Sequence, residues 1–155
     1  MEARKTKKSS LYQASFLYVV IFYGMLLAWV AVSVLLLGSK AQKAGWAVTQ
    51  LLMIAFVLGY TWYFSLGISY KIRVEEGGEV ELTSFRRVLR IKAQDIDLIE
   101  GPRFGLPVGF IRFRLAREKA YLFCVVSSKP LKKVLWEIKV LKPGVKVKYL
   151  LIERP

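Results

Sequence analysis

The chain has 155 residues, 25 of them Lys or Arg and 11 Asp or Glu, for a formal net charge of +14; it is 55% hydrophobic, with 4 Trp, 8 Tyr, 9 Phe, one Cys and no His. Without His there is no Ser-His-Asp or Cys-His centre and no His-liganded metal, and one thiol builds neither a Cys-only zinc site nor an intramolecular disulfide. This apolar and aromatic content excludes a disordered chain, and high charge beside high hydrophobicity points to two environments in one chain.

Residues 1–10 (MEARKTKKSS) carry four basic residues and one acid. From Ser9 to Ser39 there is no charge, a run of 31 residues, and from Ala44 to Tyr70 again none, a run of 27, with Lys40 and Lys43 between. A membrane-spanning helix needs about 20 apolar residues, and residues 71–155 are too few to cover two such helices in a soluble core. The pattern therefore predicts spans at about Tyr12–Leu37 and Trp46–Tyr63, joined by a turn at 38–45. The organisation expected is a basic cytoplasmic tail (1–10), a two-helix transmembrane hairpin (11–70) and a basic β-rich domain (71–155).

Four basic residues before the first span against two in the turn place both termini in the cytoplasm by the positive-inside rule. Trp46 is expected at the outer interface, and Tyr12, Tyr18, Tyr60, Trp62, Tyr63 and Tyr70 towards the inner one. Neither span contains an ionisable residue of the kind that marks ion and proton paths, which disfavours transport and makes the hairpin an anchor or a packing surface. Gly24-x-x-x-Ala28 and Ala55-x-x-x-Gly59 are the candidate helix-packing residues, because small side chains let helices approach closely.

Residues 71–155 carry 19 Lys or Arg against 10 Asp or Glu, and their pattern changes to period two. Lys71–Glu75 and Glu79–Thr83 alternate around Gly77-Gly78, a hairpin signal. Val88–Lys92, Ile96–Glu100 and Gly109–Ala116 are further strands, and the apolar Ala120–Val126 is the expected central one, with Cys124 buried in it. Ser128-Lys129-Pro130 then opens a helix, with Leu131, Val134, Leu135, Ile138 and Leu141 on its apolar side, Trp136 at a rim, and Pro143-Gly144 as its end. Val145–Tyr149 alternates once more. The fold class is α+β: a curled sheet or sandwich carrying one amphipathic C-terminal helix.

The local signature is Gly78-Glu79-Val80-Glu81-Leu82, then Arg86-Arg87-Val88-Leu89-Arg90-Ile91, then Asp95-Ile96-Asp97-Leu98-Ile99-Glu100. With the preceding hairpin it resembles the small bacterial and archaeal two-span membrane proteins that carry a PH-like domain, over about residues 69–142. The resemblance implies a PH-like sandwich, an integral protein of a prokaryotic plasma membrane, and a non-catalytic role without cofactor. Two features depart from the family pattern. Six strands are legible before the helix where a PH sandwich has seven, and the first hairpin, Glu75–Glu79, is acidic where phosphoinositide-binding PH domains are basic.

Asp95, Asp97 and Glu100 read as a solvated strand face rather than a metal site. Gly101-Pro102-Arg103-Phe104-Gly105-Leu106-Pro107-Val108-Gly109 lacks the Lys-Ser/Thr of a phosphate loop and reads as a hairpin loop. Arg112 and Arg114 beside Phe110 form a basic–aromatic face, but without a sequence-reading motif nucleic acid is a disfavoured partner. Anionic lipid is favoured, since a juxtamembrane basic residue gains about 1 kcal/mol near such a surface. The candidate lipid- or anion-binding residues are Arg86, Arg87, Arg90, Lys92, Arg103, Lys132 and Lys133. Phe104, Leu106, Val108 and Phe110 are candidates for a loop that enters the lipid interface or docks on a partner. Two functions are expected: a membrane-anchored module engaging lipid headgroups or protein partners, a second copy included, or an accessory subunit of a larger membrane complex.

Overall fold

The computed structural model describes residues 9–44, 48–103 and 106–152. The chain is α+β, with three α-helices and eight strands among the described residues. It divides into two units, one formed by Ser15–Leu66 and the other by the residues up to Ala14 and from Gly67 onward.

The first unit is the helix pair, α1 (Phe16–Ala44) and α2 (Val48–Ser65). Both helices are long and apolar enough to cross a membrane, and only 6% of the apolar window of each is buried within the chain. Several of their hydroxyls bond back to the helix: Ser33 donates to the Trp29 carbonyl at 2.8 Å, Thr61 to Val57 at 2.8 Å and Ser65 to Thr61 at 2.8 Å. Tyr23 joins the helices: its hydroxyl donates to the Ser65 carbonyl at 2.6 Å, and its ring meets Trp62 edge-on at 6.1 Å.

The helix bounds correct the sequence reading at both ends. The expected turn at 38–45 is helical through Ala44, because Lys, Ala and Gln are strong helix formers and the single Gly38 costs only about 1 kcal/mol. Trp46 and Gly45 lie outside the described residues. At the other end the hairpin, read as 11–70, spans Ser15–Leu66 instead, since Ser10–Gln13 form a strand.

That strand, β1 (Ser10–Gln13), pairs antiparallel with β2 (Ser69–Val74). Tyr12, expected at the membrane interface, is 3% exposed within the sheet unit, and its hydroxyl accepts the Val125 N–H at 3.1 Å. The meander continues through β3 (Glu79–Ser84) and β4 (Val88–Lys92). Between β2 and β3, Gly78 turns the chain at φ +77°, a conformation glycine adopts without strain. After a 3-10 turn (Ala93–Asp95) come β5 (Ile96–Glu100), β6 (Val108–Leu115) and β7 (Lys119–Val125), then α3 (Lys129–Leu141) and β8 (Lys146–Lys148). The strand order is β4-β3-β2-β7-β6-β5-β8, with β1 beside β2, so β7 is central as its apolar run predicts. β1 also raises the number of strands before α3 to seven.

The core lies between the inward strand residues and α3. Ile72, Val80, Ile96, Ile99, Ile111, Phe113 and Leu122 are fully buried with Val134 and Ile138 of α3, and Leu131 and Leu135 nearly so. Each such side chain stabilises the fold by roughly 1.5–3 kcal/mol. Leu141, expected on the same face, is 38% exposed at the helix end. Ser128 caps α3 by position, and Pro130 in the first turn gives up an N–H that has no helical partner.

Candidate anion-binding surface

Strand register places the basic residues. On β6, Ile111, Phe113 and Leu115 point inward, so Phe110, Arg112 and Arg114 point outward. Across the sheet Arg114 stands opposite Lys119 on β7 and Leu98 on β5, and Leu98 stands opposite Lys146 on β8. The next row holds Tyr121, Arg112, Glu100 and Lys148. Arg112 forms an ion pair with Glu100. Among the described residues Arg114, Lys119, Lys146 and Lys148 make no ion pair, so the outer face of β7-β6-β5-β8 is strongly positive.

The seven cations singled out from sequence fall on separate elements. Arg86 and Arg87 sit in the tight β3–β4 turn, where the Ser84 hydroxyl donates to the Arg87 carbonyl at 2.8 Å. Arg87 pairs with Glu118 at 2.5 Å, and Arg90 pairs with Glu81 at 3.1 Å across β3. Both pairs are exposed and worth about 1 kcal/mol or less, so an anion can compete for them. Lys92 is exposed at the end of β4. Lys132 and Lys133 lie on the outer side of α3, and the Arg103 guanidinium lies 5.8 Å over the Tyr149 ring. The unpaired cations of the outer face were not singled out, apart from Arg114. Their alternation with inward apolar residues was the available signal, but the parallel β5–β8 pairing that aligns them is invisible in sequence.

The expected apolar loop divides. Phe104 and Gly105 lie outside the described residues, and Leu106 is 54% exposed. Val108 and Phe110 belong to β6 rather than to a loop, and the Phe110 ring lies 5.1 Å from Phe123 on the outer face. On the helix pair Gly24, Ala28, Ala55 and Gly59 are all exposed. A Cβ on Gly24 or Gly59 would meet no atom within 4 Å, so neither glycine marks the contact between α1 and α2.

The three carboxylates considered together in the sequence are engaged separately. Asp95 lies in the 3-10 turn and accepts the Lys92 N–H at 3.3 Å, Asp97 binds Lys142 at 3.2 Å, and Glu100 binds Arg112. Among the described residues no three His, Cys, Asp or Glu are grouped so as to hold a metal. Burial pushes the Cys124 thiol up to about 11, which leaves it protonated and unreactive at neutral pH. Burial likewise raises the Tyr12 hydroxyl above its usual value.

Compared with known proteins, the chain matches no family model, no curated protein and no solved structure.

Proposed function

We propose that the chain is a membrane-anchored, non-catalytic PH-like module that engages anionic lipid headgroups and protein partners at the cytoplasmic face. The observation that carries this reading is the insertion of two apolar, largely unburied helices between paired strands of one basic sheet. If the helices cross a bilayer, the sheet unit is held at its surface by two covalent connections. The PH-like part of the reading is supported by chain order: β1–β4 form one meander, β5–β7 another, and a helix follows. Basic side chains near anionic lipid then supply a salt-dependent attraction.

The test uses the full-length protein in lipid nanodiscs, of phosphatidylcholine alone or with added phosphatidylglycerol. Amide exchange of Arg86–Lys92 and Lys129–Leu141 should slow in the anionic discs and recover as salt rises. Identical exchange in both discs refutes lipid engagement. The alternative, an accessory subunit of a larger complex, is favoured by the exposed apolar side chains Leu106, Tyr149 and Leu151. It requires a stoichiometric protein partner to co-purify from native membranes.

A further inference from the structure

Where the outer face meets the end of α3 there is an open cleft of about 360 Å³, lined by Asp97, Leu98, Arg114, Lys142, Gly144 and Lys146. Three parts of the chain build it. Leu98 on β5 forms the floor, 8% exposed, with Arg114 opposite on one neighbouring strand and Lys146 opposite on the other. Strands lie about 4.8 Å apart, so the two cations flank Leu98 at a separation that two long side chains close around one small anion. The C-terminus of α3 brings Lys142, and the turn that follows brings Gly144.

The Lys142 ammonium is positioned rather than loose. It donates to the Gln94 carbonyl at 2.8 Å and to the Asp97 carboxylate at 3.2 Å, and its side chain is 25% exposed. Two of its three protons are thereby used, and the Asp97 charge is offset. Arg114 and Lys146 have no ion-pair partner among the described residues. Three cations against one carboxylate leave the lining at net +2. That suits an anion of about −1.5 to −2, the charge of a phosphate monoester at neutral pH. Arg114 can bind two phosphate oxygens through its planar fork, with the lysines as point charges. Gly144 makes a wall of bare backbone, since a Cβ there would meet nothing within 4 Å.

We infer that this cleft binds a phosphate monoester, through Arg114, Lys142 and Lys146. The inference rests on the proposed function only for one source of the phosphate, a lipid headgroup. Free phosphate is the other source, with the same chemistry.

Full-length protein in a nonionic, phosphate-free detergent is titrated with inorganic phosphate and, separately, with dihexanoyl phosphatidic acid, and binding is followed by calorimetry. Saturable binding is expected. The pair Arg114→Gln with Lys146→Gln should weaken it at least about tenfold, because two charge-assisted hydrogen bonds are lost. Gly144→Glu, whose Cβ would meet nothing within 4 Å, adds a carboxylate to the cleft lining and should do the same, and it decides the matter if the double variant fails to fold. Lys71→Gln with Arg73→Gln removes equal charge from β2, away from the cleft lining, and should change binding by about twofold or less. Absence of saturable binding, or equal weakening by the β2 pair, overturns the inference. Tighter binding of the lipid than of phosphate assigns the headgroup; equal binding assigns phosphate alone, and both bear the inference out. If the cleft fails while nanodisc protection persists, only the cleft is refuted. If it binds phosphate while discs give no protection, only the lipid reading falls.

Discussion

The backbone N–H of Ala14 donates to the carbonyl of Tyr70 at 2.7 Å, so the chain closes a hydrogen bond across the whole helix pair. The register continues this contact, with Gln13 opposite Lys71 and Tyr12 opposite Ile72. Whatever environment holds α1 and α2, the residues entering and leaving them belong to one sheet.

For a hairpin that crosses a bilayer, this fixes both ends on the same side. With the basic tail inside, a cysteine introduced by Gln42→Cys should react with an impermeant maleimide on intact cells. One introduced by Lys5→Cys should react only after lysis. Native Cys124 is 4% exposed and adds little background. Labelling of residue 5 on intact cells reverses the orientation, and labelling of both positions contradicts the shared side.

Tyr12 ties β1 to the centre of the sheet. Tyr12→Phe keeps the ring and leaves the Val125 N–H without its acceptor, which should cost about 1–2 kcal/mol. Tyr12→Ala also leaves a cavity and should cost about 3–5 kcal/mol. Urea unfolding followed by near-UV circular dichroism reads both. Equal midpoints for wild type and Tyr12→Ala would show that β1 is dispensable.

Gly101 allows the C-terminal segment to cross the start of the β5–β6 loop. A Cβ there would sit 2.8 Å from the Tyr149 carbonyl oxygen and would collide with the Leu150 side chain. Gly101→Ala should therefore displace residues 149–152 and cost about 1–3 kcal/mol. Faster carboxypeptidase trimming would report it. Adding Leu150→Ala should restore only part of the loss, because the carbonyl remains.

Cys124 sets the sign of an alkaline pH dependence. Its thiol ionises near 9.0 when exposed and near about 11 in the fold. Between those values the unfolded chain has released its proton while the folded one still holds it. Stability is thus undiminished below pH 9 and falls as pH rises towards 11. Tyr12, also raised, acts in the same direction. Cys124→Ala should flatten the decline of the urea midpoint between pH 8 and 11, and an unchanged slope would assign it to other groups.

Much of this fold was legible because two signals are strong. The long charge-free runs predict apolar helices, which fill most of both, and the period-two segments from Lys71 to Val126 correspond to the strands found. β1 was not legible, for a physical reason. Its inward residues are Ser10 and Tyr12 and its outward ones Leu11 and Gln13, so a serine faces in and a leucine faces out, and it runs without a charge into α1. Only its partner β2 reveals it. The site was less legible still. Which cations are neutralised depends on cross-strand register, as with Arg90 and Glu81, and on two turns meeting, as with Arg87 and Glu118. No local pattern in the sequence encodes either.

The β1–β2 pairing also bears on how the protein is made. Ser10–Gln13 leave the ribosome before α1, and their partner residues leave only after α2. Until then the first strand is an open edge with no neighbour, and Tyr12 has no core to enter. A nascent chain cut short within α2 cannot close the sheet and would display that edge to quality-control proteases. Completion of the sheet therefore registers that both helices have been synthesised, so the amino-terminal strand acts as a latch that only a finished helix pair can fasten.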